Sequence, residues 1–213
     1  MNMSTQLLYN DFPTFLRKYF PYKVQKISLN AGFTCPNRDG TKGWGGCTYC
    51  NNQTFNPDYC RTEKSITTQL EEGKCFFAHK YPEMKYLAYF QAYTNTYGPV
   101  SYLDSVYRQA LSEPDIAGIS IATRPDCLGN EVMALLEGLK SDYPDKFIWL
   151  ELGLQTIHEQ TARYIRRGYA LSCFTHACDR LHAARIPVIV HVILGLPGET
   201  TEMVLETIHF LNG

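Results

Sequence analysis

Three cysteines fall within one glycine-rich stretch of this 213-residue chain: Cys35, Cys47 and Cys50, in the run CPNRDGTKGWGGCTYC. Cysteine thiolates are the usual ligands of iron–sulfur clusters, and three of them can hold three irons of a four-iron, four-sulfur core. The fourth iron is then open to a small molecule. Gly40, Gly43, Gly45 and Gly46 let the loop take positive φ and wrap a bulky inorganic group. The same residues also suit a structural zinc site. Cys47 and Cys50 have a zinc or redox spacing, and Cys60 can complete a four-cysteine set. On the cysteines alone the two readings stand level.

The elements that must position this loop are readable from composition and periodicity. Apolar residues make up 45% of the chain, enough for a substantial core in one large domain. Twenty basic residues face 21 acidic ones, so bulk charge points to neither a polyanion nor a membrane surface. No signal peptide is visible at the N-terminus and no apolar run has the length of a membrane span. Eight cysteines without a leader suit a reducing cytosol better than a disulfide framework, so a cytoplasmic protein is expected.

A short amphipathic helix is predicted to start near Pro13. Strands are predicted over 23–31, 85–93, 116–123, 147–154 and 187–194. Helices are predicted over 66–79, 100–111, 130–140, 156–167, 172–184 and 200–211, with Asn130 and Ser172 as caps of the third and fifth. Strand and helix alternate, which implies a parallel sheet with right-handed crossovers. Residues 1–22 read as an N-terminal helical extension and 23–213 as the core. The repeat expects another strand after Gly213, so the core is expected to be truncated before its sixth strand and to leave an open edge.

In such sheets ligands bind beyond the carboxyl ends of the strands. Every unusual motif here falls at such an end. Cys35 follows the first strand, QAYTNTY ends the second, TRPD the third, GLQT the fourth and GLPGET the fifth. A free-standing zinc ribbon would not require that coincidence, and it favours a cluster at the mouth of a partial barrel.

The stretch AGFTCPNRDGTKGWGGCTYCN and the run QAYTNTY closely resemble radical S-adenosylmethionine (SAM) enzymes of the YhcC type. The runs LELGLQT, IRRGY and HVILGLPGET are similar to that type and to the catalytic subunit of Elongator. The commonest superfamily spacing is C-x3-C-x2-C; here eleven residues separate Cys35 from Cys47, as in those two branches. The resemblance covers residues 9–213. It implies a partial (β/α)6 TIM-like barrel in which Cys35, Cys47 and Cys50 hold a [4Fe–4S] cluster and SAM binds the open iron. One electron then cleaves SAM to methionine and a 5′-deoxyadenosyl radical, which abstracts hydrogen from a substrate. It also implies an external electron donor, flavodoxin or ferredoxin-like, and suggests tRNA wobble-uridine chemistry as the substrate class. The alternative is a zinc-stabilised binding module without catalysis.

The resemblance further implies SAM-binding positions. Tyr49 corresponds to an aromatic near the adenine. Gln91, Thr94 and Asn95 stand where many members have a Gly-Gly-Glu run for the amino group. Arg124 is a partner for the SAM carboxylate or for Asp126. Ala122 stands where the Elongator branch often has a glutamate. Glu151 lies mid-strand in apolar surroundings and needs a partner, either the ribose hydroxyls or an internal arginine. Gln155 and Arg167 match positions of the coproporphyrinogen-oxidase branch, with capping and a solvated basic face as their bland roles. His191 is either a core histidine or a SAM contact, and Gly195 permits a tight turn against the adenine. Asn37 and Asp39 read as turn residues, and Arg163 and Arg166 as a solvated face. Arg17, Lys18, Lys23 and Lys26 are candidates for a local basic patch.

Overall fold

The computed structural model describes residues 9–51, 56–78 and 84–213. Its frame is a sheet of five parallel strands in the order β1 (Lys23–Leu29), β2 (Met84–Phe90), β3 (Ile116–Thr123), β4 (Phe147–Gln155) and β5 (Val188–Val192). Helices α2 (Ile66–Phe77), α3 (Val100–Ser112), α4 (Asn130–Asp142), α5 (Glu159–Tyr164) and α6 (Leu171–Ala183) connect them, and α7 (Thr201–Asn212) follows β5. This is the half-barrel that the strand–helix alternation predicts.

Where segments depart from expectation, the backbone gives the reason. β2 stops at Phe90, short of Tyr93, because Ala92 and Tyr93 take φ values of 86° and 64°. A left-handed pair cannot continue a strand. α5 is only a short helix because Arg166 and Gly168 turn left-handed after it. Gly129, not Asn130, holds the N-cap of α4; the Asn130 side chain instead accepts a bond from Arg180 at 2.9 Å. Ala170, not Ser172, precedes α6 and no side chain caps it. The helix expected over 66–79 ends at Phe77, and His79 lies outside the described residues.

The two faces of the sheet carry different chemistry because strand side chains alternate. Ile27, Leu29, Ile119, Ile121, Leu150, Leu152 and Leu154 point to the helices and form the main core. Val24, Leu87, Ala117 and Trp149 point the other way, into the hollow of the half-barrel. There α1 (Phe12–Leu16) and the residues after it close the lower end. Asp11 caps α1 by accepting from Thr14 N at 2.8 Å. Leu16 and Phe20 bury against Trp149, and the Phe20 ring lies 4.6 Å from that of Phe147. The upper end of the hollow is left free for a site.

Candidate functional site

The cysteine loop leaves β1 and folds back on itself. Arg38 N and Asp39 N both donate to the Cys35 carbonyl, Asp39 pairs with Trp44 in an antiparallel bridge, and Cys50 N donates to the Cys47 carbonyl at 3.0 Å. Asp39 serves the turn, accepting from Thr41 N at 3.0 Å, as its residue type suggests.

Asn37 does more than turn the chain. It is buried, and its amide donates to the carbonyls of Arg166 and Arg167 at 2.8 and 3.1 Å and lies 3.5 Å from Cys47 Sγ. Gly168 makes room for it: with φ of 81°, a Cβ there would come within 2.5 Å of Asn37 Oδ1. The loop is thus pinned to the segment after α5. Burial raises the Cys47 thiol, while the Asn37 amide and the charge of Arg124 favour its thiolate.

The three cysteines open onto a cavity of about 330 Å³ at the carboxyl ends of the strands. Of the residues singled out from sequence, Tyr49, Thr94, Arg124, Glu151, Gln155 and His191 line it with Cys35, Cys47 and Cys50. Gln155 enters through a register shift between β4 and β5 and a φ of 66°. Such bulges re-aim side chains next to functional sites. The Gln155 amide uses the space beside Gly153, where a Cβ would come within 2.5 Å of it and displace it.

Four of the expected positions lie off the cavity wall. Gln91 donates to Ser28 Oγ at 2.9 Å. Asn95 is fully buried beneath the loop and bonds the Ala122 carbonyl at 2.8 Å. Arg167 is neither solvated nor in the cavity. It is fully buried, and its guanidinium donates to the carbonyls of Leu154, Thr156 and Tyr169, fixing the end of β4 to the loop after α5. Gly195 turns the chain after β5 with φ of 78°.

Arg124 forks onto Asp126 with two bonds of 2.9 Å and also donates to the Arg167 carbonyl. Burial works against the Asp126 charge, but Arg124 and Lys42 together keep its carboxyl below the ordinary value.

Glu151 has partners that sequence reasoning missed. Its side chain is 1% exposed and bonds Lys26 of β1, Ser120 of β3 and, at 2.7 Å, Nε2 of His191. Burial opposes ionisation, yet His191, Lys26 and Ser120 outweigh it and hold the carboxyl at about 2. The cationic end of Lys26 also sits 4.2 Å from the centre of the Tyr89 ring. Lys26 therefore faces the hollow instead of belonging to a surface patch. The alternation of Val24, Lys26 and Ser28 was the available signal. Tyr169 also lines the cavity, with the Arg124 and Arg167 guanidiniums 4.9 and 4.8 Å from its ring centre. It lies in the IRRGY run without a role assigned from sequence.

Cys60 is 2% exposed in the main core, outside the cavity wall, and burial pushes its thiol up to about 12. The donor set facing the cavity is therefore three cysteines with an amide directed at one sulfur. No three Cys, His, Asp or Glu side chains among the described residues gather closely enough to hold a single metal ion. Three thiolates spread around one cavity are the donor chemistry of a cluster with one open iron, and hydrogen bonds to cluster sulfurs are a usual tuning device.

A model of the radical SAM superfamily matches residues 33–211. The chain belongs to the radical SAM superfamily. Members use a [4Fe–4S] cluster and SAM. Protein YhcC of Escherichia coli K12 is 41% identical over 208 residues, covering 97% of this chain and 65% of that protein. YtqA of Bacillus subtilis is 40% identical over 204 residues, covering 96% and 62%. The chain thus spans less than two-thirds of the length of these relatives.

Among solved structures, archaeal Elp3 of Methanocaldococcus infernus superposes with a TM-score of 0.58 at 16% identity, over 88% of this chain and 42% of that one. Coproporphyrinogen III oxidase (HemN) of E. coli does so at 0.52 and 16%, over 93% and 44%. At such identities the likeness establishes the radical SAM half-barrel and no more. Among the described residues, no helix is long and apolar enough to cross a membrane.

Proposed function

We propose that this chain is the SAM-cleaving core of a radical SAM enzyme. The observation that carries the reading is that Cys35, Cys47 and Cys50 all line one cavity at the strand ends. Cys35, Cys47 and Cys50 would hold the cluster, and the cluster would supply the single electron that cleaves SAM to methionine and a 5′-deoxyadenosyl radical. Tyr49, Thr94, Arg124, Gln155 and His191 would receive SAM. The fixed dipoles and charges around the cavity would orient it and exclude water. Glu151 has its carboxylate occupied by Lys26, Ser120 and His191, so its part is to hold those side chains in place. Gln91, Asn95 and Arg167 would support the wall from behind, and Gly195 would shape the turn above it.

Reconstitution without oxygen should load about four irons per chain. Dithionite should then release 5′-deoxyadenosine and methionine from SAM. Cys60→Ala should keep the iron. Stoichiometric zinc in place of iron, lost in Cys60→Ala, would establish the four-cysteine module instead.

For the substrate we propose tRNA wobble uridine, supported by the runs shared with the Elongator catalytic subunit. A cytosolic setting agrees with eight unpaired cysteines. Mass spectrometry of wobble nucleosides after deletion of the complete gene tests this. An unchanged profile removes the tRNA assignment and leaves the SAM chemistry standing.

A further inference from the structure

The lid that closes the lower end of the hollow leaves a groove between itself and β1. The groove holds about 490 Å³, within the range of about 300–1,000 Å³ that ligand pockets span. Phe12, Phe20 and Tyr22 supply rings to its wall, and the last two lie 5.7 Å apart. Arg17, Lys23 and Lys26 supply cations. Lys85 adds another, 5.0 Å from the centre of the Tyr22 ring. From Tyr9 to Lys26 the sequence carries four cations against one carboxylate, in a chain of net charge −1. That carboxylate, Asp11, is spent on capping α1. Core packing explains the buried Leu16 and Phe20, but it does not call for the exposed Arg17 and Lys18 beside them.

The groove adjoins the upper cavity through one side chain. Lys26 lines the groove, 4.6 Å from the centre of the Phe12 ring, and bonds Glu151 of the cavity wall. β1 is also an edge of the five-stranded sheet. Carbonyls alternate sides along a strand, and that of Leu29 accepts from Gln91 N, so that of Lys26 faces the edge. Gln25 covers it with its own amide at 3.0 Å. A peptide adding as a further strand must displace that amide, whereas a stacked base needs only the rings and cations.

We propose that this groove binds a nucleotide of the single-stranded RNA loop that presents the target uridine. The inference rests on the tRNA reading above and deepens it. RNA loops are recognised by laying unstacked bases on aromatic side chains, with Lys and Arg on the phosphates. Phe12 and Tyr22 take the face of a base flanking the uridine. Arg17, Lys18 and Lys23 meet the phosphates. The flanking base is anchored below the Glu151 layer, and the uridine reaches the cavity above it.

The test is a titration of the chain with a labelled anticodon stem–loop RNA at about 0.05 and 0.2 M salt. Arg17→Glu/Lys18→Glu should weaken binding at least about tenfold at low salt and reduce the slope of log affinity against log salt by about one to two. Tyr22→Ala should weaken binding about tenfold at both salt concentrations and leave the slope unchanged. Tyr22→Trp should keep the affinity. Circular dichroism melts that match the wild type verify that each variant is folded. A photoreactive thiouridine beside the target uridine should crosslink within residues 12–26, as mapped by mass spectrometry.

Equal RNA binding by the wild type and both weakened variants overturns the proposal. So does a wild-type chain that binds no stem–loop, or a crosslink confined to other segments. A dimer of this chain that Tyr22→Ala dissociates, with RNA affinity unchanged, assigns the groove to a second copy and also overturns it. Failure of the tRNA reading is seen elsewhere: wobble nucleosides then stay unchanged on gene deletion, whatever the groove binds.

Discussion

The upper and lower ends of the hollow are built from the same strands and differ in what their side chains do. At the lower end Val24, Leu87, Ala117 and Trp149 meet Leu16 and Phe20, and the rings of Phe20, Phe147 and Trp149 pack on one another. At the upper end the same strands deliver Thr94, Arg124 and Gln155 to a cavity beside three cysteines. Between them lies one polar layer, where Lys26, Ser120 and His191 surround Glu151. Moving two residues along a strand keeps the face and changes the depth. The chain thus separates stability, placed below, from reactivity, placed above, with a buried charge network at the boundary.

The sharpest way to break that comparison is to delete one group at each end. Cys47→Ala should take reconstituted iron from about four per chain to near none. It should cost the iron-free protein less than about 1 kcal/mol, since its side chain is small and half-buried. Trp149→Ala should do the reverse. Emptying that position should cost about 4 kcal/mol and lower the melting temperature by roughly 10 °C. The iron bound per folded molecule should be unchanged. If Trp149→Ala lost its iron as completely as Cys47→Ala, the two ends would not be separable.

The boundary layer should respond to pH. The Glu151 carboxyl is held at about 2, below its ordinary 4.5, so its stabilisation is full above the unfolded value. It is lost as pH falls from about 4.5 through about 2. Glu151→Gln should cost about 3 kcal/mol at pH 7 by leaving Lys26 without its counter-charge. Denaturant titrations between pH 5 and 3 should show a shallower loss of stability in this variant than in the wild type. Parallel pH profiles would mean that Glu151 is not the group that titrates.

The smallest effect concerns the pin between the loop and α5. Asn37→Ala should cost about 2 kcal/mol, mainly from buried carbonyls left without a donor. It should also speed the loss of iron to a chelator while still allowing reconstitution. Unchanged iron release would reduce Asn37 to a turn residue.

Much of this was legible beforehand. β3 runs from Ile116 to Thr123 as its unbroken apolar stretch implies, and the helix expected over 200–211 forms as α7. The strand–helix alternation put Cys35 and the runs holding Thr94, Arg124 and Gln155 at strand ends, and the resemblance to radical SAM enzymes singled out these side chains with Tyr49, Glu151 and His191, all of which line the cavity. The errors lie where side chains meet across the sheet. Arg167 read as a cavity or surface residue because its sequence neighbours do not reveal the three carbonyls that bury it. Lys26 read as surface because its partner Glu151 is 125 positions away.

What the sequence by itself determined is therefore local. The cysteine spacing, the strand–helix alternation and the strand ends depend on periods of a few residues, and backbone geometry turns those periods into elements whatever lies elsewhere. Tertiary structure alone decided which polar groups are spent on the protein and which remain for a ligand. Asn37 finds its acceptors some 129 residues on, at Arg166, and Glu151 finds Lys26 two strands beyond its neighbour. Those encounters depend on register and crossover length summed over the whole sheet. A buried polar group takes whichever partner that sum brings within reach.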